Sequence, residues 1–312
     1  VIGLRTNIVR GSILVFALSP LVNFAFVFPM VCAGQFNRQN TFIFMLVELA
    51  LLIFLYRRQL ITFPCMKVFE ETGRGAAVYA RHKLHWINSL EPAQKSLCAI
   101  SFFLAAFCLF LELHEVYMSS GSIFTMCDAP LSWNRWACSW FSGEFPEKVR
   151  EYPQMIPTNW AMAYMVMGID LQFVPKLTVT LFPFVTMLAL FELGISRKSI
   201  MFITAVPVTA WLFRNVQFAM YGGEVDLSVT FFTLISFACI VYAYDEESKP
   251  GIMRWLVALS FLLCSAACAK QSGLMVLFLM PVIAVLVLYK KMHKSEIGRR
   301  QFTKLALLHI LL

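Results

Sequence analysis

The interval MCDAPLSWNRWACSWFSGEFPEKVREYPQMIP, residues 126–157, decides how the chain is read. It is a polar, aromatic-rich run with apolar segments of membrane length on both sides. Asp128 stands near its start, about ten residues beyond the preceding apolar segment. Trp133, Trp136 and Trp140 fill its middle, and Glu151 precedes Tyr152 and Pro153 near its end. In a polytopic membrane protein, a long polar loop of this composition is where ionisable side chains gather at the bilayer surface.

Working outward, 59% of the 312 residues are apolar and 14% are charged, with mean hydropathy +0.71. Soluble domains average about 45–50% apolar and about 25% charged. The apolar excess comes in blocks long enough to cross a bilayer, so the chain reads as an all-α, multi-pass integral membrane protein. Spans are expected at 10–33, 41–56, 96–118, 173–193, 199–218, 227–244, 254–269 and 273–290, with a ninth beginning near Lys304. Residues 57–95 form a basic stretch whose middle suits an amphipathic surface helix or a solvated linker. Residues 158–168 (TNWAMAYMVMG) are apolar but too short to cross, and are expected to lie on or dip into the outer interface. Two units follow: 1–95, with two spans and the basic segment, and 96–312, the membrane module. The chain starts at Val1 and stops inside the apolar run LALLHILL, as a piece of a longer protein would.

Charge sets the orientation. With the N-terminus inside and 158–172 not crossing, 19 of the 26 lysines and arginines fall on the inner side, as the positive-inside rule requires. The same pattern accounts for the net charge of +8 without a nucleic-acid partner. Asp128, Glu151, Asp226 and Lys270 then share the outer face although they come from three loops. Nine cysteines show no CxxC and no metal-ligand spacing. Cys127 and Cys138 both lie in the long loop, and spacing leaves their pairing open.

Each outer residue has two readings. A carboxylate at Asp128 can take a proton from a hydroxyl or serve as a cap or loop acid. Glu151, held ahead of two prolines, can bind a metal, a donor phosphate or an amine, or be a solvated acid. Asp226 opens a helix, where aspartate is a common N-cap. Arg214 and Lys270 can neutralise a phosphate or snorkel to the interface. Glu112, His114 and Glu115 cluster too locally for a metal site. The tryptophans, with Trp160, suit an interfacial belt or stacking on a sugar ring.

Taken together, Asp128 after its span, EYPQMIP (151–157), VDLSVTFF (225–232) and AKQSGLMVLFLMP (269–281) resemble the membrane-embedded glycosyltransferases of the C superfamily. The nearest branches are protein O-mannosyltransferases and the aminoarabinose transferases that act on lipid A. The resemblance runs from about 96 to 290. It implies that Asp128 is the general base. It places Glu151, Tyr152, Arg214, Asp226 and Lys270 around the donor phosphate or substrate. The implied donor is a polyprenyl- or dolichyl-phosphate sugar and the acceptor a lipid, glycan or protein. Transfer would proceed with inversion, in a bacterial inner membrane rather than the endoplasmic reticulum. The chain has one acid at 128 where many relatives have a pair, and Tyr152 where some have a basic residue. These departures leave acceptor and metal use open, with Asp128, Glu151 and Asp226 as candidate ligands of a divalent cation. The competing class is a transporter or lipid flippase, which would tend to place its charges near the bilayer midplane.

Overall fold

The computed structural model describes residues 8–57, 85–119, 123–126, 128–147, 149, 152–215, 222–223 and 225–294. Among them the chain is all-helical. The helices are α1 (Ile8–Cys32), α2 (Arg38–Arg57), α3 (Pro92–Ser119), α4 (Asn134–Phe141), α5 (Met155–Met167), α6 (Phe173–Arg197), α7 (Ile200–Asn215), α8 (Asp226–Asp245), α9 (Lys249–Ala269) and α10 (Gly273–Lys294). Six of them, α1, α3, α6, α8, α9 and α10, are long and apolar enough to cross a membrane. Helix α2 forms where a span was expected, and α7 is a shorter apolar helix of 16 residues. The expected surface helix within 57–95, apart from its ends, and the expected ninth span lie outside the described residues.

Burial sorts the helices. In α8, 67% of the apolar window is buried, against 22% in α3 and α10. Helix α8 is therefore the centre, packed on α6 and α9, while α3 and α10 are peripheral. Phe182, Phe231 and Phe232 of α6 and α8 meet Phe16 of α1 in one aromatic cluster, with ring centroids 5.2–5.9 Å apart. The peripheral helices turn large apolar side chains outward: Phe103 is 70% exposed, Phe110 65%, Met275 73% and Phe278 71%. Burying one such side chain is worth about 1.5–3 kcal/mol, so these faces require a hydrocarbon environment. This is an integral membrane protein.

One end of the bundle is capped. A five-residue π-helical turn (Ala129–Trp133) leads into α4, and α4 packs on α5. At about 1.5 Å per residue, the 13 residues of α5 reach only about 20 Å, short of the about 30 Å hydrocarbon core. Expected to lie on or dip into the outer interface, α5 is enclosed by protein. Nine of its thirteen residues are buried, because a helix apolar on every side requires packing all round. Helices α1, α2, α4, α6 and α9 supply it. Asn159 ties it to α1, accepting from Asn23 Nδ2 at 2.8 Å and donating to the Pro20 carbonyl at 2.9 Å. Trp133, Trp136, Trp140 and Trp160 are likewise 1–7% exposed. They form the interior of the cap, not an interfacial belt.

The opposite end is tied by charge. Arg197, the last residue of α6, pairs with Asp245, the last of α8, and Lys291 donates to the backbone carbonyls of Ala243 and Glu246. Glu246 accepts from the Ser248 amide and hydroxyl at 3.0 and 2.7 Å, and that hydroxyl caps α9 through Gly251 N–H. Those two hydrogen bonds hold the Glu246 carboxyl below its usual pKa. The turn is held above the ordinary carboxylate range and loosens as pH falls through the lowered value. Deeper in the bundle, Arg10 Nε lies 2.8 Å from Glu192 Oε1, the Tyr242 hydroxyl donates to Glu192 Oε2, and the guanidinium stacks 3.9 Å over the Tyr242 ring. Glu192 is 4% exposed. Removing one partner strands the other charge in low dielectric. Arg10→Leu should therefore destabilise the bundle by about 3–5 kcal/mol, read as a lowered thermal midpoint in detergent, with Glu192→Gln costing less.

Candidate functional site

The site is built on a short irregular segment at the capped end, residues 123–126, between α3 and the π-helical turn. Its backbone is used up by neighbours: Phe124 N–H donates to Gln172 Oε1 at 2.6 Å and Met126 N–H to the Gly222 carbonyl at 3.3 Å. Lys176 of α6, 5% exposed, reaches the Ile123 carbonyl at 3.4 Å. The Phe124 ring stacks on Trp160 of α5, centroids 4.7 Å apart.

The glycine pair before α8 makes this junction possible. A Cβ on Gly222 would fall 1.9 Å from Met126 Cγ, and one on Gly223 would fall 2.3 Å from the Phe124 ring. Gly223 also has φ +95°, a region that L side chains rarely adopt. The two loops interlock because neither glycine has a side chain. Ala129 sits against Gly223, which brings the neighbouring Asp128 beside the start of α8.

Asp128 is exposed and immediately precedes the π-helical turn, but its side chain makes no cap hydrogen bond. The capping reading is therefore not realised there. Asp226 opens α8 without serving as its cap either. Val225 holds the cap position, and Asp226 Oδ2 instead receives Lys270 Nζ at 2.6 Å. Lys270 is the last residue before the tight turn into α10, and its side chain is 23% exposed against 51% for Asp226. Sequence alone offered phosphate neutralisation or snorkelling for Lys270; the structure gives it a defined partner 44 residues away.

Tyr152 leans on Trp133 and Trp136, centroids 5.9 and 5.7 Å away, and Gln154 after it accepts from the Trp140 indole at 3.1 Å. The aromatic middle of the loop is thus folded under its own end. Tyr164 of α5 donates to Asn134 Oδ1, and burial, with Cys138 and Asp170 nearby, raises the pKa of its phenol. The buried Trp160 indole N–H has no partner among the described residues.

Arg214 is placed elsewhere. It lies in the last turn of α7, which packs against α3, within electrostatic reach of Cys108. Glu151 and Cys127 lie outside the described residues, so neither the Glu151 assignment nor the Cys127–Cys138 pairing enters the geometry. Among the described residues no three His, Cys, Asp or Glu side chains are grouped to hold a metal ion, and Asp226 is committed to Lys270. Lys176 was not singled out in the sequence. Its signal was a lone lysine one turn inside an apolar segment.

No family model, curated protein or solved structure matches the chain. The roles of these residues therefore rest on their own chemistry.

Among the described residues the Asp128 carboxylate has no partner, and the contact of Ala129 with Gly223 puts it at the same end of the bundle as the partly exposed Asp226–Lys270 pair. An exposed pair contributes about 0–1 kcal/mol to stability. Asp226→Asn should shift the thermal midpoint little, and a large functional loss in that variant would mark the pair as part of a site.

Proposed function

We propose that this protein is a glycosyltransferase moving a sugar from a polyprenyl- or dolichyl-phosphate carrier to an acceptor at the outer face of a membrane. The observation that carries the reading is Asp128, exposed and uncapped at the mouth of the packed cap, close to the Asp226–Lys270 rim. An acceptor hydroxyl would lose its proton to the Asp128 carboxylate as its oxygen attacks the anomeric carbon. The C–O bond to the carrier phosphate breaks with inversion, and the electron pair leaves on that phosphate. Lys270 is the cation on the rim that can meet the phosphate, exchanging Asp226 for it. Arg214 is a more distant contributor of positive charge.

In this reading the chain has eight spans and the start of a ninth, its capped end outside by the charge bias. The cap forms the floor on which donor and acceptor meet. A lipid-linked donor accounts for a site at the bilayer boundary, since the tail stays in the membrane. A bacterial inner membrane is the setting proposed, with a lipid, glycan or protein as acceptor. A divalent cation is not required by the proposed step.

A second reading, a transporter or lipid flippase, draws on the Arg10–Glu192–Tyr242 network, since ionisable groups inside a bundle commonly mark a transport pathway. The two readings separate in one assay. Membranes holding the full-length protein are supplied with a panel of radiolabelled polyprenyl-phosphate sugars, wild type beside Asp128→Asn at equal expression. Glycosyl transfer predicts product from the wild type and a loss of about 10²–10⁴-fold in the variant. Normal transfer by Asp128→Asn would sink the assigned base. No transfer with any donor, with lipid or solute crossing vesicle membranes, would favour transport.

A further inference from the structure

A second concave feature lies away from the ionic rim. Helices α1, α2, α5 and α6 enclose a cleft of about 340 Å³, at the small end of the about 300–1,000 Å³ that ligand sites occupy. Phe16, Met45, Met162 and Val166 make its walls largely apolar. Methionine adapts its shape readily to a ligand. Val174 and Thr178 close it on the side of α6, and both lie in the first two turns of that helix. The cleft therefore lies beside the start of α6 and the middle of α1.

Its surroundings say what reaches it. Met45 is 39% exposed, and Val22 and Leu46 nearby on α1 and α2 are 45% and 64% exposed. These are lipid-facing side chains, so the mouth opens sideways into hydrocarbon. A polar stripe runs along the α1 wall. Ser19 and Asn23 are one turn apart, and among the described residues the Ser19 hydroxyl and Asn23 Oδ1 have no hydrogen-bond partner. Asn23 Nδ2 is held by Asn159, whose own amide is committed to the Pro20 and Met155 carbonyls. Pro20 has no N–H to offer the Phe16 carbonyl. The stripe thus offers acceptors, in a setting where unsatisfied polar groups are costly.

The cleft is separate from the rim around Asp128. Trp160 of α5, Gln172 just before α6 and Lys176 of α6 face Phe124 and Ile123, whereas Asn159, Met162, Val174 and Thr178 face the cleft. Helices α5 and α6 form the partition.

We infer that this cleft is a lipid-binding site. It takes one hydrocarbon chain of a bilayer lipid, with a hydroxyl at the junction of headgroup and chain donating to Ser19 or Asn23. The inference rests on the membrane character of the bundle and is independent of glycosyl transfer.

The test is photolabelling of the full-length protein in phosphatidylcholine vesicles, using diacylglycerol with a diazirine in one acyl chain. Crosslinked peptides are located by mass spectrometry. The expected result is label on 155–167 and around Met45 that excess unlabelled diacylglycerol displaces, while label on the lipid-facing residues of α3 is not displaced. Ala163→Trp, which fills the cleft, should abolish the displaceable label, and Ser19→Phe should do the same if the first variant fails to fold. Ser19→Ala should raise the competitor concentration needed about fivefold, the effect of one lost hydrogen bond. Label on 155–167 that is not displaced, or that survives in a folded cleft-filling variant, overturns the inference. It would mean ordinary annular lipid only.

Discussion

The architecture of the capped end depends on how Phe124 is seated. Its ring lies between the Trp160 indole and the bare backbone of Gly223, and its amide is held by Gln172. That single residue therefore joins the end of α3, the short helix α5, the start of α6 and the approach to α8. A side chain on Gly223 would have to displace the ring, and the displacement would reach Ala129 and the π-helical turn that carries Asp128. The position of the candidate base is thus set by a steric fit between two loops about a hundred residues apart in the chain.

The same fit closes the cap over an aromatic interior. Four tryptophans and Tyr164 are buried there; Trp140 donates to Gln154 and Tyr164 to Asn134, while the Trp160 indole N–H has no partner among the described residues. Close aromatic packing leaves such an interior little freedom to rearrange. The result is a firm platform under a small set of charged side chains, with Asp128 exposed and the Asp226–Lys270 pair part-open to solvent. Preorganised charge on a rigid support is what electrostatic catalysis needs.

Much of the fold was legible because hydrocarbon dictates it: blocks such as 227–244 and 273–290 are long, apolar and nearly free of charge, so length and composition suffice. Alternation of basic loops brought Asp226 and Lys270 to one face before any geometry was available, and the structure pairs them. The cap was less legible. An interfacial belt and a buried aromatic core draw on the same tryptophans, and only tertiary packing tells them apart. Helix α5 was recognised as too short to cross, but its burial depends on five partner helices that no local pattern announces. Lys176 was missed for a similar reason: its meaning comes from Ile123, more than fifty residues upstream.

The account stands on the capped end facing outward, since every proposed role of Asp128, Asp226 and Lys270 assumes it. A membrane-impermeant maleimide applied to intact cells tests this directly, with cysteine placed at exposed Ser142 beside α4 or at exposed Glu247 at the opposite end, each compared with the unaltered protein. The account predicts that Ser142→Cys adds label in intact cells and Glu247→Cys only after permeabilisation. The reverse pattern would place the candidate site on the inner side and contradict it.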